Sequence, residues 1–222
     1  MKKRIPVLVV YWILFYGAWA AFELIFKDML YAAVSSELFR ELIRSGIIKN
    51  LVWTLPAVLL IRHYEKDIAV PLREMLTPKK ELLRYIPLYL LVAAYVLMMA
   101  YKAHGRIGIV DTFNEGKIVV VLFVGITEEM VFRGWLLNRT IRSTEESPAV
   151  WTAVAVNAVL FLTIHFPIWL NSGVFYANFA NLGFAVILVL SSLFSWCFIR
   201  SRNILVPITL HAFYDLLVFM LI

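Results

Sequence analysis

The chain has 222 residues, 62% of them hydrophobic and 16% charged, with a mean hydropathy of +0.82 and a formal net charge of +6. Soluble domains average about 45–50% apolar and 25% charged residues, so an ordinary soluble domain is excluded and an integral membrane protein is indicated. Lys and Arg collect in short loops on one side, as the positive-inside rule requires; this accounts for the basic surplus without nucleic acid. A single cysteine, Cys197, excludes an internal disulfide and a Cys-based metal cluster.

The length fits one integral membrane domain over 1–222, an all-α bundle of about seven spans, with no separate soluble domain, linker or repeat. Lys2, Lys3 and Arg4 precede an apolar run from Ile5 to Phe26. Ala18-Trp19-Ala20 resembles a signal-peptide cleavage site, but the run continues to membrane-spanning length and reads as a first transmembrane helix. In residues 28–46, Leu30, Ala33, Leu38 and Leu42 alternate with Glu37, Arg40, Glu41 and Arg44 at helical spacing. This predicts an amphipathic helix at the interface or packed on the bundle. The second span is predicted over Ile47–Ile61, with Lys49 near its outer end, and a dense basic loop occupies 62–85.

The third span is predicted over Ile86–Tyr101, followed by a loop with Gly105, Gly108, Asp111 and Asn114 as breakers. Ile118–Leu137 forms the fourth span. Ser147-Pro148 is a helix start signal for a fifth span from Ala149 to His165 or beyond. Residues 168–180 are aromatic and small, suited to the membrane surface; the sixth and seventh spans are Asn181–Ile199 and Ile204–Ile222. With the N-terminus in the cytoplasm, segments 1–4, 62–85, 138–149 and 200–203 lie inside and carry the larger share of Lys and Arg.

The fourth span carries Gly125-Ile-Thr-Glu-Glu-Met-Val-Phe-Arg-Gly134. Each charge at membrane depth costs about 2.5–3.5 kcal/mol on insertion scales, and such groups usually line a polar cavity or pathway. Glu129 and Arg133 are four apart with the acid first, the favourable order for an ion pair on one helix face. Glu128 is offset by about 100° of rotation and is left to meet another helix. His165 ends an apolar stretch where an imidazole must find a hydrogen bond, and His211 and Asp215 share a face of the last span. His63 and His104 fall in polar loops. A carboxylate with a histidine can activate water as a general base, and imidazole or carboxylic acid donors can stabilise an oxyanion. The set suits amide hydrolysis by water without a covalent intermediate. A His-Glu-x-x-His zinc motif and a Gly-x-Ser-x-Gly nucleophile are absent, Ser191, Ser192 and Ser195 have Cys197 and apolar neighbours in sequence, and Asp215 is the one aspartate within a span.

Glu128-Glu129-x-x-x-Arg133, Phe161-x-x-x-His165 and His211-x-x-x-Asp215 together resemble the CAAX protease and bacteriocin-processing (CPBP, or Abi) family, which includes the Ras-converting type of CAAX endopeptidase. The resemblance covers residues 118–222, the motif-bearing core. It implies a glutamate-type intramembrane endopeptidase in the cell membrane, acting on a membrane-associated peptide or protein such as a CAAX-type protein or a bacteriocin leader. By position, Glu128 would activate water with help from His165, Glu129 and Arg133 would orient the site, and His211 with Asp215 would bind the oxyanion. Family members often carry Asn where this chain has Asp215, so Asp215 is either held neutral by burial or orients His211. No cofactor is expected; the alternative is a His₂Glu zinc site from Glu128, His165 and His211. The competing functions are a transporter or proton relay, and a non-catalytic bacteriocin self-immunity protein.

Overall fold

The computed structural model describes residues 4–78 and 80–222; Lys2, Lys3 and Lys79, part of the charge asymmetry above, lie outside them. Among the described residues the chain is helical, with no strand. Seven long helices follow one another: α1 (Ile5–Ala33), α2 (Glu37–His63), α3 (Leu83–His104), α4 (115–140), α5 (Pro148–Asn171), α6 (Gly183–Ser201) and α7 (Leu205–Leu221). Five of them, α1, α2, α3, α5 and α6, are long and apolar enough to cross a membrane, and α7 is a shorter apolar helix. The chain is thus a multi-pass membrane protein built as an all-α bundle.

The helix ends follow local chemistry. Asn114 opens α4 by accepting from the Lys117 amide, and Ser147 opens α5 by accepting from Val150, with Pro148 in the first turn. Gly105 closes α3 at φ +69, a left-handed conformation that glycine adopts without penalty. The polar stretch 28–46 does not form an element of its own. Residues up to Ala33 finish α1, and Glu37 starts α2 behind the Ser36 cap. Its charges are absorbed where the two helices meet: Arg44 pairs with Glu41 at 2.8 Å and reaches Glu23 of α1 at 3.6 Å, and Glu41 accepts from the Tyr31 hydroxyl at 2.8 Å.

Helix α4 is central, packing on α2, α5, α6 and α7. Residues 127–138 of α4 are buried without a break, so this helix meets protein on every side, as one that carries charge at membrane depth must. From Met130 to Leu137 it widens into a π-helical segment, a distortion frequent at functional sites. An aromatic core packs beside it: Trp53 meets Phe15 at 4.7 Å and Trp19 at 4.9 Å, both edge-on.

One end of the bundle gathers the segments 64–78, 138–147 and 200–204. Arg202, itself left-handed at φ +50, donates to both carboxylate oxygens of Glu74 (2.7 and 3.0 Å) and to Thr144 (2.8 Å). Those bonds hold its guanidinium above the usual arginine range. Asn138 bonds both the amide and the carbonyl of Val70, and Asn203 donates to the Thr77 carbonyl at 2.6 Å.

Candidate active site

The site lies where α4, α5 and α7 meet, with α6 behind. At Gly125 the backbones of α4 and α7 touch: an added Cβ would stand 2.5 Å from the Ile208 carbonyl oxygen. One helical turn further along, this close approach sets Glu128 and Glu129 against His211.

Glu129 and Arg133 are fully buried and pair at 3.0 Å, the i, i+4 bond expected from their spacing. The guanidinium is held on its other side by α6. Nη2 donates to the carbonyl and hydroxyl of Ser191, both at 2.6 Å, and Nε to Ser195 Oγ at 3.3 Å. Its plane lies over the Phe161 ring at 4.7 Å. These contacts correct the reading of Ser191 and Ser195 as serines among apolar neighbours: both hold the arginine. Glu129 Oε1 also meets His211 Nδ1 at 2.9 Å. A carboxylate already accepting from arginine has lone pairs to offer, so we assign the proton on that bond to Nδ1. His211 is further fixed by stacking on Phe194 at 4.9 Å.

His211 Nε2 then faces two more carboxylates, Asp215 Oδ2 at 3.6 Å and Glu128 Oε2 at 4.0 Å. Both distances exceed hydrogen-bond range, so a water or a substrate oxygen can stand between them. Glu128 does meet another helix, through its other oxygen: Oε1 bonds Lys49 Nζ on α2 at 3.0 Å. Lys49, assigned from sequence to the outer end of a span starting at Ile47, is buried inside α2 because that helix begins ten residues earlier.

His165 sits at a break in α5. Pro167 has no amide to continue the ladder, and the chain turns at Ile164-His165 before resuming at Phe166. The His165 amide bonds the Leu162 carbonyl, and His165 Nδ1 lies 2.8 Å from the Phe161 carbonyl. A carbonyl accepts and does not donate, so Nδ1 carries the proton and Nε2 keeps its lone pair. The span, predicted to reach His165 or beyond, runs to Asn171, and His165 lines the same cavity as Glu128, His211 and Asp215.

Glu128, His165, His211 and Asp215 line one cavity of about 100 Å³, completed by Phe161, Tyr214 and other apolar neighbours. At about 30 Å³ per water it has room for a few molecules or for one peptide carbonyl. Of the six residues singled out in the sequence, four face this cavity, and Glu129 and Arg133 support it from behind. Among the described residues, no three His, Cys, Asp or Glu side chains are arranged to hold a metal ion; the cation facing Glu128 in this arrangement is the Lys49 ammonium. As arranged, Glu128, His165 and His211 do not form such a group.

Fold and site together define a helical membrane protein with a buried carboxylate–imidazole centre. Residues 116–217 are similar to the family model described as type II CAAX prenyl endopeptidase Rce1-like. The matched segment includes all six motif residues. No curated protein and no solved structure matches the chain.

Proposed function

We propose that the protein is an endopeptidase that hydrolyses a peptide bond of a membrane-anchored peptide or protein by direct attack of water. The observation that carries this reading is the shared cavity: a carboxylate and an unprotonated imidazole nitrogen face a water-sized space, with a donor-bearing imidazole opposite. Glu128 Oε2 takes a proton from the water, whose oxygen attacks the carbonyl carbon, and His165 Nε2 accepts the water's second hydrogen bond and holds it in place. As the carbonyl oxygen becomes an oxyanion, it receives a hydrogen bond from His211 Nε2–H, which His211 carries as an imidazolium, protonated on both nitrogens, between Glu129 and Asp215. Glu129, fixed by Arg133, orients this imidazole through Nδ1. Asp215 faces the same Nε2–H and balances its charge, a role that needs no protonated carboxyl. The proton held by Glu128 then passes to the leaving amine, so acid and base balance over one turnover.

The substrate class is read from the approach to the cavity. Leu190 and Tyr214 line both the catalytic cavity and an apolar groove of about 500 Å³ between α3 and α6. A lipid-modified peptide, the substrate type in the matched family's description, would lay its apolar chain there and bring its peptide bond to Glu128. We place the end bearing 64–78, 138–147 and 200–204 in the cytoplasm of a cell membrane, on the positive-inside rule. The test is mass spectrometry of a farnesylated peptide incubated with purified protein in detergent. Products separated at one peptide bond are expected; an intact peptide, with Glu128-dependent proton flux in vesicles instead, would establish the relay reading.

A further inference from the structure

Lys49 is a buried charge that the hydrolytic scheme does not use. Its ammonium stands over the faces of Trp53 at 4.6 Å and Trp19 at 5.1 Å, and bonds Glu128 Oε1 at 3.0 Å. Three helices thus hold it: α1 through Trp19, α2 through Trp53 and its own backbone, and α4 through Glu128. Both tryptophans are buried and packed edge-to-face on each other, so the cage is rigid. Stability is a weak reason for such a pair, because replacing a buried ion pair by apolar side chains of similar volume is often neutral or stabilising.

Geometry supplies a better reason. Glu128 lies between two cationic or donor-bearing groups, Lys49 at 3.0 Å from one oxygen and His211 Nε2 at 4.0 Å from the other. Were Glu128 to close that second gap, the proposed base and the proposed oxyanion donor would neutralise each other and the cavity between them would vanish. We propose that Lys49 is a positioning residue that tethers Glu128 by Oε1. The tether leaves Oε2 facing the cavity and keeps Glu128 apart from His211. The proposal rests on the hydrolytic reading above for its effect on rate, though not for its effect on the position of Glu128.

Two readouts on the full-length protein in detergent separate these. With a farnesylated peptide as probe, Lys49→Met is expected to lower kcat by about 100-fold with KM within about threefold, the signature of an interaction that matters in the transition state rather than in binding. Lys49→Arg, which keeps the charge, is expected to retain most of the rate. In protein labelled with ¹⁵N-histidine, Lys49→Met is expected to shift the His211 signals, as Glu128 moves onto Nε2, and to leave those of His63 and His104 in place. A Lys49→Met protein with kcat within about threefold of wild type and unmoved His211 signals overturns the proposal. So does a variant that raises KM alone. Shifted His211 signals in a protein whose wild type cleaves nothing would uphold the tether and defeat the hydrolytic reading. If Lys49→Met fails to fold, Lys49→Gln keeps a donor without the charge and is judged by the same two outcomes.

Discussion

At the scale of single residues, the site is a set of carboxylates and imidazoles whose partners decide their roles. Glu129 and Arg133 sit in a network with Ser191, Ser195 and His211; the first four are fully buried, and His211 alone of the set lines the cavity. Arg133→Lys keeps the charge but loses the fork that spans Glu129 and α6. Since breaking one side of a buried pair costs about 3–5 kcal/mol, Arg133→Ala is expected to lower the melting temperature sharply in detergent, with Arg133→Lys in between. A melting temperature unchanged by Arg133→Ala would contradict the network. His165→Ala removes a group that faces the cavity and bonds one carbonyl, so a large loss of kcat with near-normal thermal stability is expected.

This is also the scale at which the sequence was most and least informative. The Glu129–Arg133 pair and the shared face of His211 and Asp215 were legible, because i, i+4 spacing alone puts such residues together. Lys49, Ser191 and Ser195 were not, because their partners come from other helices and no spacing rule crosses between helices. One signal was present for Lys49: it follows Glu41 and Ser45 at intervals of four, a polar stripe along one face of α2. All three are buried.

At the scale of elements, two local features place the chemistry. The α4–α7 contact at Gly125 has no room for a methyl group, since the neighbour is backbone. Overpacking of this kind costs about 1–3 kcal/mol, so Gly125→Ala should lower both thermal stability and kcat by pushing His211 away from Glu128. Gly17→Ala, where a Cβ would meet nothing within 4 Å, is the matched control and should lower neither. Equal behaviour of the two variants would remove the close approach from the account. The break at Ile164-His165 was foreshadowed by Pro167, a residue that interrupts the helical ladder wherever it stands. Span limits were less legible. Helix α2 begins at Glu37 rather than Ile47 because its charged first turns satisfy one another against α1, which a hydropathy reading counts as surface.

At the scale of the whole molecule, apolar run lengths and basic flanks were enough to anticipate a bundle of about seven helices. The mutual placement of α4, α5 and α7 required coordinates. The basic end is tied together by Arg202, which joins Glu74 and Thr144 and reaches the Ala69 carbonyl at 3.4 Å. Arg202→Ala should therefore speed hydrogen exchange across 64–78 while leaving kcat near wild type, because the proposed catalytic groups belong to other contacts. Slow exchange in that variant would show that Asn138 and Asn203 hold the segment without it.

The hydrolytic reading makes Glu128 the base for water attack on a peptide bond. It is tested most directly by the rate of cleavage of a farnesylated peptide by wild type and by Glu128→Gln, each confirmed as folded. Cleavage by wild type and a loss of about a thousandfold in Glu128→Gln are expected, within the range general-base catalysis contributes; cleavage by Glu128→Gln at the wild-type rate would rule out Glu128 as the base.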